Sequence, residues 1–188
     1  MANTINATSG IGIVSTADNT NELILQTNGT NALSIDSSQN VSFANQLSLG
    51  VSGTTMQLKL SAAAETVTIS ATAATGTVNF DVSTQSILYY TSNASANWTL
   101  NIRGSSSVTL NSIMATGQSV TVTHLVTQGG TAYYNSAVTV DGSSVTPKWS
   151  GGSAPSAGNA SSVDVYTYTL IKTGSGSFTV FASQTRYA

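Results

Sequence analysis

The chain has 188 residues, with five Lys or Arg, seven Asp or Glu, one His and no Cys, for a formal net charge of −2. Charged residues make up 6% of it, against about a quarter in an ordinary globular protein, so no basic patch is available to neutralise nucleic-acid phosphates. The same sparsity leaves no polybasic helix for a membrane surface, and the absence of Cys excludes disulfides, thiolate chemistry and Cys-based metal sites.

Ser, Thr, Asn and Gly dominate, and Val and Tyr supply much of the rest. Thr, Val and Tyr favour strands, while Ser, Asn and Gly favour turns. The expected fold class is therefore all-β, with an N-terminal meander or extended arm followed by a jelly-roll-like sandwich. The length allows one domain, or one domain plus an extension, with a sizeable core. No run approaches the apolar length of a transmembrane helix, and the opening MANTINATSG lacks the basic and apolar regions of a signal peptide.

In chain order, residues 1–21 are polar apart from IGIV at 11–14, which predicts a strand or an extended arm. Residues 23–43, LILQTNGTNALSIDSSQNVSF, predict a three-stranded meander. Leu23 and Leu25 alternate with polar partners, Asn28-Gly29 turns the chain, Leu33 and Ile35 alternate, residues 36–40 turn again, and Val41 and Phe43 alternate. Three short strands with one thin apolar face and no helix to cover them are marginal in water. That face, formed by Leu23, Leu25, Leu33, Ile35, Val41 and Phe43, is the expected oligomer interface. Residues 45–53 read as a last strand and a connector. They divide a domain over 1–52, for attachment and oligomerisation, from a sandwich over 53–188.

From residue 56 onward, short strands follow at sandwich spacing. Met56, Leu58 and Leu60 alternate, as do Val67 and Ile69, then Val78, Phe80 and Val82. Residues 87–90, ILYY, form a continuous apolar run that suggests a strand covered on both faces. Trp98, Leu100 and Ile102 point one way, with Thr99, Asn101 and Arg103 opposite. Residues 110–117, LNSIMATG, are the one helical signal, with Asn111 as a cap and Gly117 as a stop. Val120, Val122 and Val126 share a face with His124. Asp141-Gly142 predicts a turn, residues 147–162 a long polar loop, and residues 163–171 the longest strand. Residues 178–181 close the domain, for about nine or ten strands.

Reactive side chains are few. His124 reads as a core or rim histidine, and no nucleophile elbow accompanies it for a Ser-His-Asp arrangement with Asp141. Residues 18–22, DNTNE, are rich in oxygen ligands. An EF-hand starting there would need Gly at its sixth position and Glu at its twelfth, where Leu23 and Gly29 stand. Asp36, Glu65, Asp81, Asp141 and Asp164 are scattered and form no evident dyad. No cofactor or metal is expected, and the chain reads as non-enzymatic. Every Tyr and both Trp lie beyond residue 88. In a strand, one member of each pair Tyr89-Tyr90 and Tyr133-Tyr134 must point outward. Trp149 with its neighbour Lys148, together with Tyr90 and Tyr134, are the candidate ligand or partner contacts. Six Asn-x-Ser/Thr sequons are expected by chance in so Asn-, Ser- and Thr-rich a chain.

Two segments resemble known families. TADNTNELILQTNGTNALSIDSSQNVSF (16–43) carries the pattern L-x-L-x-T-N-G-x-x-A-L-x-I-D-x-S-x-N-V, and resembles a strand–turn module of tail-fibre and other virion proteins of marine tailed bacteriophages. LYYTSNASANWTLNIRGSSSVTL (88–110), VTVDGSSVTPKWSGGSAPSAGNASSVDVYTYTLIKTG (138–174) and FTVFASQTRYA (178–188) resemble the C-terminal domain of cyanophage virion structural proteins. Together they cover most of the chain, and neither carries a catalytic motif. The resemblance implies a virion structural protein made in the host cytoplasm: a short tail fibre, knob or adaptor, or a capsid decoration or head-fibre protein. It implies a homotrimer that contacts other virion proteins and, in an attachment role, a host-surface glycan. Long fibres of this type often carry a self-cleaving chaperone domain, which nothing here resembles, so the long-fibre role does not carry over.

Overall fold

A computed structural model describes residues 23–43 and 62–188, which belong to two compact units, Met1–Ser61 and Ala62–Ala188. The strand read at 11–14, the Asp/Asn-rich turn at 18–22, the connector at 45–53 with its domain boundary, and the alternation at 56–60 lie outside the described residues.

The described part of the first unit is a three-stranded antiparallel sheet in the order β1 (Leu23–Thr27), β2 (Thr30–Ile35), β3 (Val41–Phe43). Asn28 and Gly29 both take positive φ, 52° and 75°, the pairing that a two-residue type I′ hairpin turn requires. The second turn is held by one carboxylate. Asp36 Oδ1 accepts from the backbone N–H groups of Ser38 and Asn40, each at 2.9 Å, and Asp36 Oδ2 accepts from Asn40 Nδ2 at 2.9 Å. Hydrogen bonds to the charged form, first from the Asn40 side chain, hold this carboxyl below its usual range.

The second unit contains ten strands in two facing sheets. They are β4 (Val67–Ala73), β5 (Gly76–Asp81), β6 (Ile87–Ser92), β7 (Trp98–Arg103), β8 (Ser119–Thr127), β9 (Asn135–Val140), β10 (Ser143–Val145), β11 (Lys148–Trp149), β12 (Val163–Gly174) and β13 (Ser177–Tyr187). The smaller sheet has the order β10-β9-β7-β5 and the larger β11-β13-β12-β8-β6-β4. From β4 to β9 the chain alternates between the sheets, so it coils through three turns. Neighbours within the coil are consequently parallel: β4 with β6, β6 with β8, β5 with β7, and β7 with β9. A jelly roll has antiparallel neighbours; here those occur at the β9–β10 and β12–β13 hairpins and where β12 pairs with β8.

Period-two alternation fixes what faces inward. Val78 and Phe80, Leu100 and Ile102, and Val138 and Val140 of the smaller sheet meet Leu88, Val122, Val126, Tyr166, Tyr168 and Leu170 of the larger in one buried cluster. Trp98 is the central joint, with its ring edge-on to His124 (centroids 5.8 Å apart) and to Tyr166 (5.6 Å). The predicted helix is a single turn, α1 (Leu110–Ile113). Thr109, rather than Asn111, is its N-cap, accepting from Ser112 N at 3.1 Å. Asp141, at the start of the β9–β10 turn, accepts from the backbone N–H groups of Leu110 (2.7 Å) and Asn111 (2.9 Å), so a distant strand satisfies two donors that a helix start leaves open.

Candidate functional site

The meander positions its six apolar residues on one face. In the antiparallel register Leu23 faces Ile35, which faces Val41, and Leu25 faces Leu33, which faces Phe43. Directly opposed residues share a face with Cβ atoms about 5 Å apart, so the six form two rows of three. The outer members are exposed: Leu23 by 42%, Leu25 by 51%, Val41 by 52% and Phe43 by 41%. Leu33 and Ile35, on the central strand, are half-buried. No ionisable side chain stands in either row; the opposite face carries Ile24, Ser34 and Ser42 in register. Beside them Gln26 Nε2 donates to Asn31 Oδ1 at 2.7 Å. Fully burying a Leu, Ile, Val or Phe side chain contributes about 1.5–3 kcal/mol. Covering six half-exposed ones is therefore worth on the order of 6 kcal/mol per chain before the cost of association.

The other predicted contact residues are not brought together. Lys148 and Trp149 are consecutive in β11, paired with Phe181 and Ala182 of β13, so their side chains leave opposite faces of the sheet. Lys148 lies outside, its Nζ 5.7 Å from the centroid of the Phe181 ring. Trp149 turns inward, edge-on to Tyr168 at 6.0 Å, and lines a cleft of about 620 Å³ between the sheet edges, with Asn135, Val138, Val145, Pro147 and Pro155. Tyr90 is the inward member of its pair, its ring 5.3 Å from that of His124, which corrects its reading as an outward contact. Tyr89 takes that place, because the run ILYY shows no alternation from which to set the parity. Tyr134 is half-buried, and its backbone N–H donates to Asn97 Oδ1 at 3.1 Å.

Three of the four acids of the second unit, all but the exposed Glu65, have structural occupations. Asp81 accepts from Arg103 Nε at 2.6 Å, the one salt bridge among the described residues. Asp141 holds the helix start. Asp164 is fully buried, accepting from Gln128 Nε2 (3.1 Å), Asn159 N (3.0 Å) and Asn159 Nδ2 (2.5 Å). Gln128 in turn accepts from Tyr133 N at 3.0 Å and donates to Tyr133 O at 2.7 Å. This network ties two loops to the end of β12, a role no sequence motif announces.

His124 is completely buried, and neither ring nitrogen has a hydrogen-bond partner among the described residues. Desolvation disfavours the charged ring and lowers its pKa from 6.5 to about 3. It is therefore neutral and out of reach of a substrate at neutral pH. Among the described residues no group of three or more His, Asp and Glu gathers to hold a metal ion, and no helix is long and apolar enough to cross a membrane.

Comparison with known proteins found no match to a family model, a curated protein or a solved structure.

Proposed function

We propose that this chain is a non-enzymatic structural protein of a tailed-phage virion, of the short tail fibre, knob or adaptor type, assembling as a homotrimer through its N-terminal meander. One observation carries the reading: six apolar side chains in two rows on a charge-free sheet face, four of them more than 40% exposed. A closed symmetric assembly covers such a face and hides the strand edges beside it. The resemblances at 16–43, 88–110, 138–174 and 178–188 supply the virion context. The structural employment of Asp81, Asp141 and Asp164 and the burial of His124 agree with a protein that performs no catalysis.

The test is the native mass of the full chain. A multiple of three copies is expected for the wild type, and Leu25→Asp should fall to fewer copies because it places a charge in the covered face. A folded wild-type monomer at micromolar concentration overturns the assembly. A density map of the assembled particle then separates a tail position from a capsid decoration or head fibre.

A glycan-binding attachment module is the second reading, favoured by the cleft at Trp149. Its volume of about 620 Å³ lies in the range of small-molecule sites, and an indole in its wall offers a sugar-stacking surface. Glycan-array binding by the wild type that persists in Trp149→Ala removes this site from consideration.

A further inference from the structure

The two outer faces of the sandwich differ in kind. On the smaller sheet the polar groups satisfy one another. Asn101 Nδ2 donates to Asn79 Oδ1 at 2.8 Å, Asn101 Oδ1 accepts from Thr139 Oγ1 at 2.8 Å and from Gly142 N at 2.9 Å, and Arg103 pairs with Asp81. That face is finished against water.

The outer face of the larger sheet is not. Its register aligns Ile69, Tyr89, Leu125 and Val165 across four adjacent strands. A parallel row begins with Val67 and Ile87, and a third holds Val163 opposite Tyr187. Tyr89, Leu125 and Val165 help to floor an apolar groove of about 550 Å³. On its flanks, Ile69 at the β4 edge is 69% exposed and Tyr187 on β13 is 60% exposed. No acid or base belongs to these rows. The nearest cation in the sheet is Arg186, beside Tyr187 on β13 and in register with Asp164, on the opposite parity to these rows; Lys148 stands beyond β13 at the far edge.

We infer that this face binds a second copy of itself, two chains meeting sheet on sheet about a two-fold axis. Three observations favour a copy over another partner. The relief is self-complementary: the projecting ridges at Ile69 and Tyr187 flank a groove of the kind such ridges fill, and a two-fold axis presents the ridges of each copy to the other's groove. The apolar rows carry no charged side chain, so two copies of them meet without repulsion. The size is right. Five strands spaced about 4.8 Å apart, with some nine residues rising about 3.3 Å each, span on the order of 700 Å², close to the roughly 800 Å² per partner of a standard stable interface. Sheets packed this way lie about 10 Å apart and interdigitate their side chains.

The contact is separate from the meander face. It rests on the homotrimer reading only for the total count: trimers joined by two-fold contacts give six chains. The experiment is native mass spectrometry with light scattering on the full chain, comparing wild type, the face pair Leu125→Thr with Val165→Thr, and the meander variant Leu25→Asp. Threonine keeps strand propensity, and a circular-dichroism melt within a few degrees of wild type certifies that each variant is folded. The expected result is a mass halved by the face pair and reduced threefold by the meander variant. If the wild type is a dimer that the face pair halves and Leu25→Asp leaves intact, the two-fold contact stands and the trimer falls. If the face pair is folded and its mass equals that of the wild type, the inference is overturned. Tyr89→Asp, a stronger perturbation of the groove floor, must give the same answer.

Discussion

Acid should weaken the C-terminal unit through one side chain. His124 is neutral in the folded chain because burial lowers its pKa to about 3, whereas the unfolded ring titrates at its ordinary value of 6.5. Between these values the unfolded state binds a proton that the folded state refuses, so the stabilising contribution is complete above pH 6.5 and declines as pH falls. The slope is about 1.4 kcal/mol per pH unit for one proton. That amounts to about 2 kcal/mol by pH 5, and to about 5 kcal/mol once the folded pKa is reached. Against a total stability of 5–15 kcal/mol, the first figure is already measurable: at about 2–4 °C per kcal/mol for this size class, Tm should drop by about 4–8 °C between pH 7 and pH 5. Carboxylates have unfolded pKa values near 4, so they contribute mostly below this window. The control is His124→Leu, similar in volume and apolar, which should cost no more than about 1.5 kcal/mol at pH 7. It should lose the extra acid sensitivity. Equal Tm losses in wild type and His124→Leu between pH 7 and pH 5 would refute the reasoning, as would a His124 pKa near 6.5 measured by NMR in the folded chain.

Two further substitutions probe the loops and the helix. A Cβ at Gly158 would sit 2.1 Å from the Tyr133 carbonyl oxygen and 3.0 Å from Asp164 Oδ2, a clash with backbone that no rotamer relieves. Gly158→Ala should therefore cost about 1–3 kcal/mol in a denaturant titration and speed hydrogen exchange in residues 128–134; wild-type stability would contradict the packing. Asp141→Ala removes both acceptors at the start of α1. It should destabilise by about 1–2 kcal/mol, with the Leu110 and Asn111 amides losing protection first; unchanged exchange there would contradict the cap.

Much of the strand plan was legible because a strand with one buried side writes its pattern with period two. Trp98, Leu100 and Ile102 needed no neighbours to be placed on one face. Asn28-Gly29 and Asp141-Gly142 were legible as turns because few other residues adopt paired positive φ. The coil was not. Alternation says which way a side chain points but not which strand lies beside it, and β4 meets β6 only after the chain has crossed to the other sheet. The extent of β13 was missed for a related reason. Residues 182–187, ASQTRY, are weakly apolar, and they are strand because β12 offers an eleven-pair register running as far as Val163 opposite Tyr187. The Asp141 cap joins residues 30 and 31 positions apart, beyond any local motif. The six meander residues were legible together, since alternation and two short turns suffice to put them on one face.

The coil has a consequence for how this unit can change length. In each sheet the strand order starts at the first turn of the coil, with β4 at one margin of the larger sheet and β5 at one margin of the smaller. The chain enters at that end, and among the described residues both margins there offer parallel-competent backbone. The opposite end is shut by the β9–β10 hairpin and the short β11. A duplication of one strand pair ahead of β4 therefore widens both sheets by one strand each and leaves every existing pairing in place. The same insertion between β9 and β13 has to break an established antiparallel register. The architecture is extensible at its entrance and closed at its exit.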